Sequence, residues 1–194
     1  MVIKLAQRGF SLIELLVVTA VLVLISGLLL ASNSRFGGVV QLESLAFDIG
    51  LSIRQSQVYG ISVRQFSAGV YTAGYGMHFD MANPTTYVLY GDAVSANGLY
   101  DSGELVVSNA ITRGYFVKSL CVTQTGLPED CSVTQVDILF KRPEPDAYIS
   151  AAGQSCILTL GPCLESARIV VESPRGDTMS IIISVNGQVS VTHQ

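Results

Sequence analysis

Charge is scarce in this sequence, and what there is does not cluster. Asp, Glu, Lys and Arg make up 13% of the 194 residues, with a net charge of -4. No run of Lys or Arg follows the one long apolar segment, so the footprint of a nucleic-acid binder is missing at the level of composition. Only two histidines occur, His78 and His193. No Gly-rich phosphate loop, acid pair or nucleophile constellation stands out, which leaves an enzyme with no residues to rest on. Proline is absent before Pro84. A chain of this length accommodates one membrane segment plus one compact domain, and not two ordinary domains beside that segment.

What the sequence does contain is an apolar run. From Phe10 to Ala31 it covers 22 residues, interrupted by Ser11, Glu14, Thr19, Ser26 and Gly27. A helix of about 20 apolar residues spans a bilayer core. Lys4 and Arg8 precede the run and Arg35 is the next basic residue, so the positive-inside rule keeps the N-terminus in the cytoplasm and places the rest outside. A secretory signal peptide has a charge-free apolar core of about 7 to 15 residues and a small-x-small cleavage site. This core is longer, holds Glu14 and lacks that site. A plain signal anchor fits the length but gives no reason for Glu14, since a carboxylate at the bilayer centre costs about 2.5–3.5 kcal/mol.

The residues Arg8-Gly9-Phe10-Ser11-Leu12-Ile13-Glu14-Leu15-Leu16 resemble the class III signal of type IV prepilins and type II secretion pseudopilins. The resemblance implies cleavage by a prepilin peptidase between Gly9 and Phe10, N-methylation of Phe10, and an assembly role for Glu14. The freed α-amino group at Phe10 is a cation near neutral pH. A buried carboxylate is tolerated beside an opposite charge, and the amine of one subunit can meet Glu14 of a neighbour. Many pilins carry a proline in the membrane half of this helix, and this chain departs from that pattern. The C-terminal "ISVNGQVSV" is similar to the closing hairpin of GspH/FimT-type minor pilins.

Past the membrane run, Leu42, Leu45, Ala46, Ile49 and Ile53 recur at three- and four-residue spacing, while Glu43, Asp48, Arg54 and Gln55 fall on the other side. The pattern predicts one helix from Phe10 to about Gln65, with Gly27 and Gly37-Gly38 as bends. Beyond Phe66 short β-branched runs alternate with turn residues. The predicted strands are "TTYVLYG", "ELVVSNAI", "GYFVKSLCV", "TQVDILFKR", "DAYISAA", "SCILTL", "ARIVVES", "TMSIIISV" and "QVSVTH". Asn186-Gly187 is a hairpin signal, and Ile181, Ile183, Val185, Val189 and Val191 are expected in the core. The fold class is therefore α+β, with one long N-terminal helix packed against an antiparallel all-β head. Its segments are a leader over 1–9, a transmembrane half over 10–31, an amphipathic half over 32–66 and the head over 67–194.

Cys121, Cys131, Cys156 and Cys163 all fall on the outer side, and an even count in an exported domain reads as two disulfides. Three connectivities exist; the local pairing of Cys121 with Cys131 and Cys156 with Cys163 is preferred because each pair flanks a turn-rich stretch. Zinc wants closer cysteine spacing or neighbouring histidines. In "GDAVSANGLYDSGE" the oxygens of Asp92, Ser95, Asn97, Asp101 and Glu104 follow part of an EF-hand-like order around Gly98, which makes calcium a candidate; the rival reading is a polar turn. Calcium is the only cofactor the residues raise. Lys141 and Arg142 before Pro143 and Pro145 read as a guarded strand end, or as a basic edge for a partner.

The combined reading is a minor pilin or pseudopilin, an inner-membrane protein that passes into an extracellular or periplasmic filament. Its partners are other pilin or pseudopilin subunits, the prepilin peptidase, the inner-membrane assembly platform and membrane lipid. The rival functions are a competence-type minor pilin that captures DNA and an anchored ectodomain that never polymerises. Removing Lys4 and Arg8 from the eleven basic residues leaves nine against fifteen acids, and the tail "GQVSVTHQ" lacks arginine, so DNA capture has little charge to work with.

Overall fold

The computed structural model describes residues 10–71, 73–158 and 163–193, with only the backbone for 31–36. The expected leader, with Lys4, Arg8 and Gly9, lies outside the described residues. The helix and antiparallel head expected from the sequence are both present. Helix α1 covers Leu12–Ile61, followed by β1 (Gly74–Asp80), β2 (Thr86–Asp92), β3 (Leu105–Ala110), β4 (Phe116–Thr123), β5 (Gln135–Phe140), β6 (Ala147–Ala151), β7 (Ser166–Glu172), β8 (Thr178–Ser184) and β9 (Val189–His193). The chain divides into two compact units between Gly38 and Val39. No helical break is assigned at Gly27 or at Gly37-Gly38, where bends were expected.

Within the first unit, Leu12–Leu30 is long and apolar enough to cross a membrane. Thr19 donates its hydroxyl to the Leu16 carbonyl at 3.0 Å. Such a bond inside the helix gives that hydroxyl a partner where hydrocarbon offers none.

The second unit is built on the apolar stripe of α1. Leu42, Ala46, Ile49 and Ile53 are buried in the head core, while Asp48, Arg54 and Gln55 stay exposed. The same face continues through buried Ser56 and Gly60. A Cβ at Gly60 would lie 2.7 Å from the Phe140 carbonyl carbon and closer still to its oxygen, so only glycine lets the helix meet the end of β5. The helix stops at Ile61 rather than Gln65. Beyond it Arg64 lies over the Tyr59 ring at 3.7 Å, and the Phe66 ring reaches Gly91 of β2.

Two antiparallel sheets complete the head, in the orders β3-β2-β1-β5-β6 and β4-β7-β8-β9. Tyr75, Met77, Phe79, Leu89, Ile138 and Phe140 of the first join Leu120, Ile169, Val171, Ile181 and Ile183 of the second in one core cluster with the helix. Strand β1 was missed in the sequence because Gly74 and Gly76 read as loop. It lies in the centre of its sheet, where a Cβ on Gly76 would come within 2.7 Å of both the Ile138 carbonyl oxygen and the Tyr90 ring.

Two further expectations need correction. "SCILTL" forms no strand over its described residues, 155–158, which are a turn held by Ser150 Oγ accepting from the Cys156 amide at 2.9 Å and Ser155 Oγ accepting from the Leu158 amide at 3.1 Å. Residues 159–160 of that stretch lie outside the described residues. Val185 is 42% exposed rather than in the core. Strand β8 ends at Ser184, and the turn bonds Ser184 N to Gln188 O and Gly187 N to Ser184 O, taking Val185 out of the alternation. Ile181 and Ile183 are buried, and Val189 and Val191 pack partly buried against the core.

Candidate functional site

The start of α1 carries the residues that the sequence singles out. A helix begins with N–H groups that have no partner within it. Here Ser11 supplies one, its Oγ accepting from the Glu14 amide at 3.3 Å, while the Ser11 carbonyl accepts from the Glu14 and Leu15 amides at 3.1 and 3.2 Å. Glu14 is the acidic residue of the first turn, where the helix dipole favours negative charge. Phe10 is exposed ahead of the cap. The role of Ser11 was missed, although Ser-x-x-Glu before an apolar run is a recognised N-terminal signature.

The acids of the 92–104 loop are engaged inside it. Glu104 is fully buried, with Oε1 accepting from the amides of Ala93, Val94 and Ser95 at 3.1, 2.9 and 3.3 Å and Oε2 from the Asp101 amide at 3.0 Å. Asp92 accepts from the Asn97 and Gly98 amides at 2.9 and 3.1 Å. Asn97 Nδ2 donates to Asp101 at 2.8 Å, and its Oδ1 accepts from the Leu99 amide at 2.8 Å. Burial pushes the Asp92 carboxyl above the usual carboxylate range, against the two backbone donors. Chemically the loop is a set of carboxylates neutralised by backbone dipoles, and Ser95 brings its amide to Glu104.

Beside that loop, His78 of β1 faces Asp137 of β5 directly across the ladder, Nδ1 to Oδ1 at 2.8 Å. The same Asp137 oxygen accepts from the Tyr100 amide at 3.1 Å, and the Tyr100 ring lies 5.0 Å from the imidazole. Tyr90, fully buried, donates to the Gly98 carbonyl at 3.0 Å. Burial, then the charge of nearby Asp137, Asp92 and Glu104, pushes its phenol well above its ordinary range. These contacts hold the loop to the sheet, and no Ser, Thr or Cys is hydrogen-bonded to His78 among the described residues.

Cys121 is bonded to Cys131 and Cys156 to Cys163. Cys121, Glu129 and Cys131 lie close enough to hold a metal ion, but both sulfurs are already spent in the disulfide, so neither is a thiolate ligand. Arg168 donates to Glu129 beside them, through Nε at 2.8 Å and through Nη2. Lys141 sits over the Tyr148 ring at 4.8 Å, and Arg142 donates to the Tyr71 carbonyl, so both cations are used within the head.

Residues 4–30 match a family model described as the prokaryotic N-terminal methylation motif. No curated protein and no solved structure matches the chain. That motif, which runs into helix α1, together with the antiparallel two-sheet head supports a type IV pilin-like protein, of the kind that is cleaved and methylated at its N-terminus.

Proposed function

We propose that the protein is a structural minor pilin or pseudopilin of GspH/FimT type, cut after Gly9 and methylated at Phe10, that enters a filament through its N-terminal helix. The methylation motif carries this reading. In it residues 1–9 are the leader, 10–31 the transmembrane half of the helix, 32–66 the amphipathic half and 67–194 the head. The protein waits in the inner membrane with its N-terminus in the cytoplasm and its head outside. The assembly platform then draws it into an extracellular or periplasmic filament.

Glu14 sets register in this account. Its carboxylate, at the positive end of its own helix, receives the α-amino group of Phe10 from a neighbouring subunit, and burying one charge beside the other costs far less than burying it alone. The helix end supplies only partial positive charge, so the neighbour's amine adds what the first turn lacks. A Glu14→Ala variant should be processed normally and yet be recruited to filaments poorly; recruitment equal to wild type would sink the role assigned to Glu14. The low charge of the chain, with nine basic residues against fifteen acids beyond the leader, speaks for assembly over DNA capture. A gel shift with short duplex DNA at low salt separates the two.

A further inference from the structure

Strands β3, β6, β4 and β9 end the two sheets of the head, and three of these edges are closed by the chain itself. Along β4, Val117 donates to the Pro84 carbonyl, and Val122 and Asp130 exchange backbone bonds, all at 2.8 Å. Along β6, Ala147 donates to the Val185 carbonyl at 2.7 Å and Ala151 accepts from the Gln154 amide at 3.0 Å. Along β9, the Val189 carbonyl accepts from Arg54 of α1 at 3.5 Å.

The edge of β3 is open. Ile111 donates to Thr85 at 2.7 Å, in the register that continues through Ala110 opposite Thr86, Asn109 opposite Tyr87 and Ser108 opposite Val88. Bonded and unbonded pairs alternate along an antiparallel ladder, so Asn109 bonds to β2 while Ser108 and Ala110 turn their amides and carbonyls away from it. Both residues are exposed, and among the described residues no hydrogen bond reaches those outward groups. Natural edges are guarded by charge, proline or distortion. From Leu105 to Thr112 this chain has neither a charge nor a proline. The register shift that leaves Val106 unpaired marks a bulge, which guards only the Leu105 end. Val107, at the start of the open stretch, is 42% exposed.

We propose that the Val107–Ala110 edge takes a strand from a different pilin-type subunit, as a sixth strand on the five-stranded sheet. The edge itself specifies the occupant. A row of amides and carbonyls at strand spacing is matched in register by another extended backbone. The uncharged stretch 105–112 can be covered without stripping water from an ion, and Val107 calls for an apolar, β-branched residue across from it. The ladder is short, so the contact adds to helix packing rather than replacing it. A minor subunit has other subunits as its neighbours, which makes the donor a different chain; the inference rests on the filament reading and gives the head a contact within it.

The test compares the full chain in detergent micelles with the same chain in filaments, produced with a prepilin peptidase and the assembly machinery, by amide hydrogen exchange. In micelles Ser108 and Ala110 should exchange at least tenfold faster than Asn109, whereas in filaments all three should be slow. Ser108 and Ala110 exchanging as fast in filaments as in micelles overturns the contact. Ser108→Pro removes an outward donor and no bond between β2 and β3, and edge strands tolerate proline. It should keep the melting temperature and lower recovery in filaments at least threefold, while Ser108→Ala is recovered like wild type; equal recovery of the two also overturns the contact. If Ser108→Pro melts early, the exchange comparison decides alone. Ser108→Cys tests the donor: oxidised filaments should hold no disulfide-linked dimer of this chain, and such a dimer would assign the edge to a second copy and overturn the different subunit. A chain that never enters filaments overturns the assembly reading on which the contact rests.

Discussion

The amide of Glu14 donates to the hydroxyl of Ser11 at 3.3 Å, which makes the acid of the apolar segment part of a helix start. The carboxylate then has two sources of stabilisation: the positive end of its own helix, and the amine of a neighbour in the proposed filament. The first is present in every copy, and the second arises only on assembly.

Replacing Ser11 by Ala should remove the cap and cost about 1 kcal/mol of local helix stability. Amide hydrogen exchange of the full chain in detergent micelles checks this: exchange at Glu14 should accelerate several-fold. Ser11→Asp should keep it near the wild-type rate, because aspartate caps as well as serine.

Gly60 and Gly50 are both buried on α1, yet they should respond oppositely to alanine. At Gly60 the new methyl group meets the Phe140 backbone, and overpacking of this kind costs about 1–3 kcal/mol. At Gly50 the nearest atoms, on Val191 and Val189, are at ordinary contact distances of 3.6 and 3.8 Å, and a helix gains about 0.5–1 kcal/mol from alanine. Thermal melts of the two variants should move in opposite directions.

Glu104→Gln should loosen the 92–104 loop. An amide NH₂ in place of one oxygen confronts amides that already point inward, at a cost of about 1–3 kcal/mol. Hydrogen exchange at Ala93, Val94, Ser95 and Asp101 reports it directly. The same geometry bears on calcium: Asp92 and Glu104 together accept six backbone amides. Saturating calcium should leave the melting temperature unchanged, and a rise would mean that the loop trades those amides for the ion.

Tyr90 sets an alkaline limit. Its phenol is raised above the ordinary value of 10.0 by burial and by nearby carboxylates, so above that pH the unfolded chain releases a proton that the folded chain keeps. Stability should be independent of this group below about pH 10 and should fall as pH rises further. Tyr90→Phe should flatten that fall in melts followed between pH 9 and 11.

The helix and the antiparallel head were legible in the sequence because both rest on periodicity, in the Leu42-to-Ile53 stripe and in the alternating strands β2 and β5 to β8. What escaped reading depends on contacts distant in sequence. Strand β1 hides behind Gly76, whose reason is the ring of Tyr90. "SCILTL" has strand composition but spends its amides on Ser150 and Ser155. Within the candidate site, the acid at Glu14 stood out by its cost, whereas the cap at Ser11 was hidden in a segment read for hydropathy alone. The loop acids drew attention as oxygen ligands, and sequence order does not reveal that backbone amides already occupy them.

Mass spectrometry of the mature N-terminus tests the account most directly. The chain recovered from membranes or filaments should begin at Phe10 and carry one added methyl group. A chain that still begins at Met1, or that begins after Ala31, would leave Glu14 without its proposed partner and would contradict the filament assignment.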